Sequence, residues 1–131
     1  MVVALKDVQV AAPQAGVVVV SVADELDLAM RTEFSGLLHG LVRENELVVV
    51  DFSEALFIDS STLNVLTEGH KLALQRGARL CLQLDDGCVV RRTFEISGLL
   101  EKLSWASSRD EALNGRGPAA MHERAAENQV A

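Results

Sequence analysis

Three consecutive hydroxyl residues, Ser60, Ser61 and Thr62, follow Asp59 where an apolar strand pattern gives way through a loop to a helical one. Within the stretch Asp51-Phe52-Ser53-Glu54-Ala55-Leu56-Phe57-Ile58-Asp59-Ser60-Ser61-Thr62-Leu63-Asn64-Val65-Leu66, this places the hydroxyls at a helix N-terminus. The first backbone N–H groups of a helix lack intrahelical partners and its dipole is positive there, so a hydroxyl can carry a phosphate without unfolding the helix. Reversible phosphorylation is the chemistry these residues suit. They also suit a local duty, with Ser60 as an N-cap and Asp59 capping or hydrogen-bonding the loop.

A serine with a histidine and an aspartate can also form a hydrolase triad. The pattern speaks against it: no Gly-x-Ser-x-Gly elbow surrounds Ser60, and no glycine-rich phosphate loop precedes a Lys-Ser/Thr pair. His39, His70 and His122 are scattered without His-x-x-x-His or Glu-x-x-His spacing, so neither a metal nor another cofactor is expected. Cys81 and Cys88 lack Cys-x-x-Cys spacing and read as reduced, buried thiols. The expectation is a binding module and not an enzyme.

The 131 residues suit one domain, with 49% apolar and 24% charged residues. A chain of this size buries roughly two-thirds of its unfolded surface. Twelve Lys plus Arg against 19 Asp plus Glu give a net charge of −7, which repels nucleic acid and anionic membranes and points to a protein partner. The N-terminal apolar run breaks too early for a secretory segment and no window reaches membrane-spanning length, so a cytoplasmic location is expected.

The elements that must position the hydroxyls alternate between strand and helix, the pattern of an α/β protein with a mixed, mostly parallel sheet. Val8 to Ala11 and Val17 to Val22 read as antiparallel strands joined by Ala12-Pro13-Gln14-Ala15-Gly16. From Asp27, the expected cap, Met30, Phe34, Leu37, Leu38 and Leu41 form a helical stripe, with Arg31, Glu33 and His39 solvated. Leu47 to Val50 reads as a central strand buried on both faces. After the hydroxyls, Leu63, Leu66, His70 and Ala73 share a helical face that ends at Arg76-Gly77. Arg79 to Leu84 alternates as a strand, Asp85-Asp86-Gly87 turns, and Val89 to Leu100 is helical with a break near Ser97-Gly98. Arg91 and Arg92 open that helix as a solvated face. A strand at Leu103 to Ala106 and a helical turn at Asp110 to Leu113 complete a domain over residues 1–114. Residues 115–131 lack an apolar period and read as a flexible tail.

Three blocks resemble the STAS family, the sulfate-transporter and anti-sigma-factor-antagonist domains, in stand-alone form. Val17 to Asp27 is similar to the family's strand leading into Gly-Glu-Leu-Asp, with Asp24 where glycine is usual. Asp51-Phe52-Ser53 with Phe57-Ile58-Asp59-Ser60-Ser61 resembles its Asp-Leu-Ser and Asp-Ser-Ser/Thr-Gly signature, with Thr62 in the place of the glycine. Phe94-Glu95-Ile96-Ser97-Gly98-Leu99 resembles its late Ser-Gly-Leu block. The likeness spans about residues 5 to 113.

The resemblance implies a STAS-like fold with an N-terminal hairpin and about four helices. It implies a bacterial signalling role as an anti-sigma factor antagonist in a partner switch. A partner anti-sigma factor with serine kinase activity binds the unmodified protein and phosphorylates the serine matching Ser60, releasing it, and a phosphatase reactivates it. Ser61 and Thr62 rank after Ser60 as acceptors. Asp24, Asp27, Asp59, Ser60, Ser61, Thr62 and Asn64 are the expected partner-binding residues. The alternative within the family is a non-switching adaptor of a signalling or transporter-ATPase complex.

Overall fold

The structure, a computed structural model, describes residues 7–26 and 30–114. The β-branched runs near the N-terminus form strands β1 (Val8–Gln14) and β2 (Val17–Leu26), antiparallel to one another. Gly16, at φ 77°, makes the turn, a conformation glycine takes without steric cost. Helix α1 (Arg31–Glu44) leads to β3 (Leu47–Ile58), α2 (Ser60–Gln75), β4 (Arg79–Gln83), α3 (Arg91–Ser97), a 3-10 turn (Leu99–Glu101), β5 (Ser104–Ala106) and α4 (Arg109–Asn114). The five strands lie in sequence order, β2 to β5 all parallel.

This order places the helices. Right-handed crossovers between successive neighbouring strands put α1, α2 and α3 on one face of the sheet. There Phe34, Leu38 and Val42 of α1, Val65, Leu66 and Ala73 of α2 and Phe94 of α3 pack on Val18, Val20, Val48, Val50, Phe52 and Leu82. Gly69 brings α2 close to its neighbours: a Cβ there would lie 3.2 Å from Leu38 Cδ2 and 3.4 Å from Leu80 Cδ2. The opposite face is apolar too, with Val17, Val19, Leu47, Val49 and Cys81 packing with Ala112 of α4. Continuous apolar runs in β2 and β3 thus reflect burial on both sides.

Most element expectations are met. Gly77 and Gly98, both left-handed, end α2 and α3 where Arg76-Gly77 and Ser97-Gly98 predict. Several details differ: β1 runs on to Gln14, through Pro13 of the expected turn, β2 runs past Val22 to Leu26, and α1 starts at Arg31 with Met30 as its N-cap. The strand expected to end near Val50 runs to Ile58, because β2 continues beside it. Helix α3 starts at Arg91, two residues later than expected. Arg91 is not a solvated side chain: it pairs with Asp86 at 2.7 Å and its guanidinium lies 4.9 Å from the Trp105 ring centre. His39 is half-buried. Asp27, the expected cap of α1, and the 115–131 tail lie outside the described residues.

Candidate functional site: the start of the second helix

The hydroxyl cluster sits at the C-terminal end of β3, where the sheet narrows. Pairing of β3 with β4 ends at Asp51 opposite Gln83, and pairing of β1 with β2 ends at Val8 opposite Val22. Beyond these points β2 and β3 continue alone to the pair Leu26–Ile58. From Ser21 to Leu26 β2 advances five residues while β3 advances seven, from Asp51 to Ile58, so β3 carries two bulges. Asp24, at φ 53°, lies at the second of these, opposite Ala55. The position where the family pattern has glycine therefore adopts the left-handed conformation, which aspartate tolerates better than most residues.

Ile58 is buried and anchors the end of the ribbon, and the chain turns directly into α2. The cap is Asp59, not Ser60. Asp59 has extended backbone geometry, and its Oδ1 accepts from the Thr62 N–H at 3.1 Å, the Ser61 hydroxyl at 2.6 Å and the Thr62 hydroxyl at 3.3 Å. Burial acts to raise the Asp59 pKa, and the donors of Ser61 and Thr62 together overcome it, holding the carboxyl below its ordinary value.

The three hydroxyls thus differ. Thr62 is 3% exposed, and its hydroxyl also faces the Leu26 carbonyl at 3.5 Å. Ser61 is half-buried and its hydroxyl is spent on Asp59. Ser60, the first helical residue, is exposed, and its side chain makes no hydrogen bond among the described residues. Asn64 is exposed one turn along the helix, and Asp24 is exposed on the neighbouring strand. The structure thereby brings Asp24, Asp59, Ser60, Ser61, Thr62 and Asn64 to one end of the sheet, while Asp27 falls outside the described residues.

The sequence reading did not anticipate the duty of Asp51. It lies on the α4 face, accepts from the Ser53 N–H at 2.8 Å and pairs with Arg109 Nη2 at 2.6 Å, while Arg109 Nε donates to Gln83. Asp51 also lines a groove of about 450 Å³, with Asp7, Gln9, Ser21, Ser53 and Glu54 alongside the apolar Val8, Val22 and Ala23. Its walls are mostly polar, whereas small-molecule sites favour a predominantly apolar lining. Among the described residues no cluster of three or more His, Cys, Asp or Glu could hold a metal ion, and no helix is long and apolar enough to cross a membrane.

No curated protein sequence matches the chain significantly. Among solved structures, the unphosphorylated form of the anti-sigma factor antagonist SpoIIAA is similar at 20% identity and TM-score 0.68, covering 82% of this chain and 93% of its own. The phosphorylated form of SpoIIAA, the Bacillus cell fate determinant, is similar at 20% identity and TM-score 0.63, covering 82% and 96%. An anti-sigma factor antagonist from Mycobacterium paratuberculosis is similar at 24% identity and TM-score 0.68, covering 86% and 97%. These likenesses establish the fold. A family model described as the STAS domain matches residues 9–112, from the second residue of β1 to the fourth residue of α4. The chain belongs to the STAS domain family.

Proposed function

We propose that this protein is an anti-sigma factor antagonist that binds an anti-sigma factor with serine kinase activity and is released when that kinase phosphorylates Ser60, so regulating a sigma factor and hence transcription. It is a cytoplasmic, non-enzymatic regulator that a phosphatase returns to the binding form. The observation that carries the reading is the contrast at the start of α2: Ser60 is exposed and its hydroxyl has no partner among the described residues, while Asp59 holds the other two hydroxyls. The likeness to a protein solved in both unphosphorylated and phosphorylated forms supports it further.

The energetics favour release over unfolding. A phosphate adds about −1.5 to −2 charge beside Asp59 on a surface of net charge −7. The helix N-terminus offsets on the order of 1 kcal/mol of this repulsion, whereas burying the phosphate in an interface without a matching cation costs several kcal/mol. A loss of about 3–4 kcal/mol weakens binding several-hundred-fold.

The test is capture of the partner kinase by wild-type, Ser60→Ala and Ser60→Asp proteins, followed by titration of the purified kinase. Tight binding by wild type and Ser60→Ala with several-hundred-fold weaker binding by Ser60→Asp is expected. Equal binding by Ser60→Asp and by fully phosphorylated protein overturns the switch, and a phosphorylation-insensitive complex makes the chain an adaptor.

A further inference from the structure

Leu56 and Phe57 are adjacent in sequence, and both are exposed, at 58% and 51%. Regular strand geometry points neighbours to opposite faces, so one of the two belongs inside. The second bulge of β3 changes that. Asp24 pairs with Ala55 and Glu25 pairs with Phe57, leaving Leu56 as the extra residue. Ala55 and Ile58 are buried on either side, and both large apolar side chains between them are exposed. Re-aiming side chains is a general effect of bulges, and a pair of exposed large apolar residues is costly unless something covers it.

Carboxylates surround the pair. Asp24 and Glu25 are exposed on β2, Glu54 is exposed two residues before Leu56, and Asp59 follows two residues after Phe57. A second copy would bring a like-charged rim against this one, and the whole chain carries −7. The charge therefore selects a cationic partner over self-association.

We infer that Leu56 and Phe57 are the apolar anchors of the surface that engages the kinase, and that the kinase offers an apolar cleft bordered by lysine or arginine. This rests on the reading of Ser60 as the switch. Ser60 lies three residues after Phe57, so the anchors occupy the same end of the molecule as the modified hydroxyl. The anchors supply affinity by excluding water, and the acidic rim supplies attraction and orientation.

The experiment measures binding of the purified kinase, identified with the wild-type protein, to a Leu56→Ser/Phe57→Ser double variant, with Ile96→Ser as control. Ile96 is also exposed, at 74%, but lies on α3. Loss of two buried anchors is expected to weaken binding by at least about thirtyfold with an unchanged thermal melt. Ile96→Ser is expected to bind as wild type. Double-variant binding within about twofold of wild type, while Ser60→Asp still releases the kinase, overturns the anchors and leaves the switch standing. Weak binding by the double variant with unimpaired binding by Ser60→Asp supports the anchors and removes the switch. Sedimentation of the wild-type protein alone supplies an independent reading: a monomer is expected, and a dimer abolished by the double variant overturns the assignment to the kinase.

Discussion

The Ser61 hydroxyl donates to Asp59 Oδ1 at 2.6 Å, and the same oxygen accepts from the Thr62 backbone and hydroxyl. One carboxylate therefore starts α2 and distinguishes among three neighbouring hydroxyls. Replacing a capping aspartate by alanine costs about 1 kcal/mol, so Asp59→Ala is expected to shift the urea midpoint downward at pH 7. The pH dependence has a definite sign. A carboxyl held below its ordinary value stabilises the fold above the unfolded value near 4 and loses that contribution as pH falls through the folded value. The gap between wild type and Asp59→Ala should narrow in acid, and a gap unchanged at low pH would contradict the capping role of the charged form.

Phosphorylation by the partner kinase is expected at Ser60. Peptide mapping should find the phosphate there in wild-type and Ser61→Ala proteins and lose it in Ser60→Ala. Asp59→Ala frees Ser61 and should broaden modification to both serines. Exclusive phosphorylation of Ser61 in the wild type would refute the assignment.

Asp24 pays in backbone strain for standing where a glycine fits best. At φ 53° the left-handed conformation costs a side-chain-bearing residue on the order of 1 kcal/mol, less for aspartate. Asp24→Gly is expected to stabilise by about 0.5 kcal/mol after the greater freedom of glycine in the unfolded chain is deducted. Asp24→Val, β-branched and intolerant of positive φ, should destabilise by about 1–2 kcal/mol. Denaturant unfolding of the two variants checks the opposite signs.

Much of this was legible beforehand. The apolar runs of β2 and β3, the stripes of α1 and α2 and the glycines at 77 and 98 all follow from local rules, and the hydroxyl cluster was visible as a helix start. What was not legible depended on partners distant in sequence. The pairing of Asp51 was hidden because Arg109 lies 58 positions away. The extension of β3 to Ile58 required knowing that β2 runs on beside it. The partial burial of Arg91 required Trp105 beside it, and the exposure of both Leu56 and Phe57 required a bulge that alternation rules do not foresee. Asp59 and Ser60 are both acceptable caps, and only the geometry chose between them.

Arg109 pins α4 to the sheet through Asp51 and Gln83. Removing it leaves an Asp51 side chain that is only 10% exposed without its cation, so Arg109→Ala should cost about 1–2 kcal/mol. Combining it with Asp51→Asn should recover part of the loss. A double-mutant cycle on thermal or urea unfolding measures the coupling, and strict additivity would show that the pair is idle.

Cys81 is fully buried, and Cys88 is half-buried with its thiol donating to the Phe52 carbonyl at 3.1 Å. Burial pushes the Cys88 thiol up, so little thiolate forms at mildly alkaline pH. Iodoacetamide at pH 8 is expected to label the folded protein far more slowly than free cysteine and to label both thiols once urea is added. Rapid labelling of Cys88 in the native protein would contradict its placement.

Helix α4 begins beside Asp51 and Gln83, near the level where β1 and β4 leave the sheet, and its Ala112 and Leu113 pack with the cluster that holds Val49, Cys81 and Ala106, on the strand-origin side of that level. The described part of α4 thus lies apart from the β2–β3 ribbon that leads to Ser60. A dye or surface linkage introduced at the exposed Asn114 itself is therefore held away from the end that carries Ser60, so immobilised protein can present its acceptor hydroxyl to an approaching enzyme.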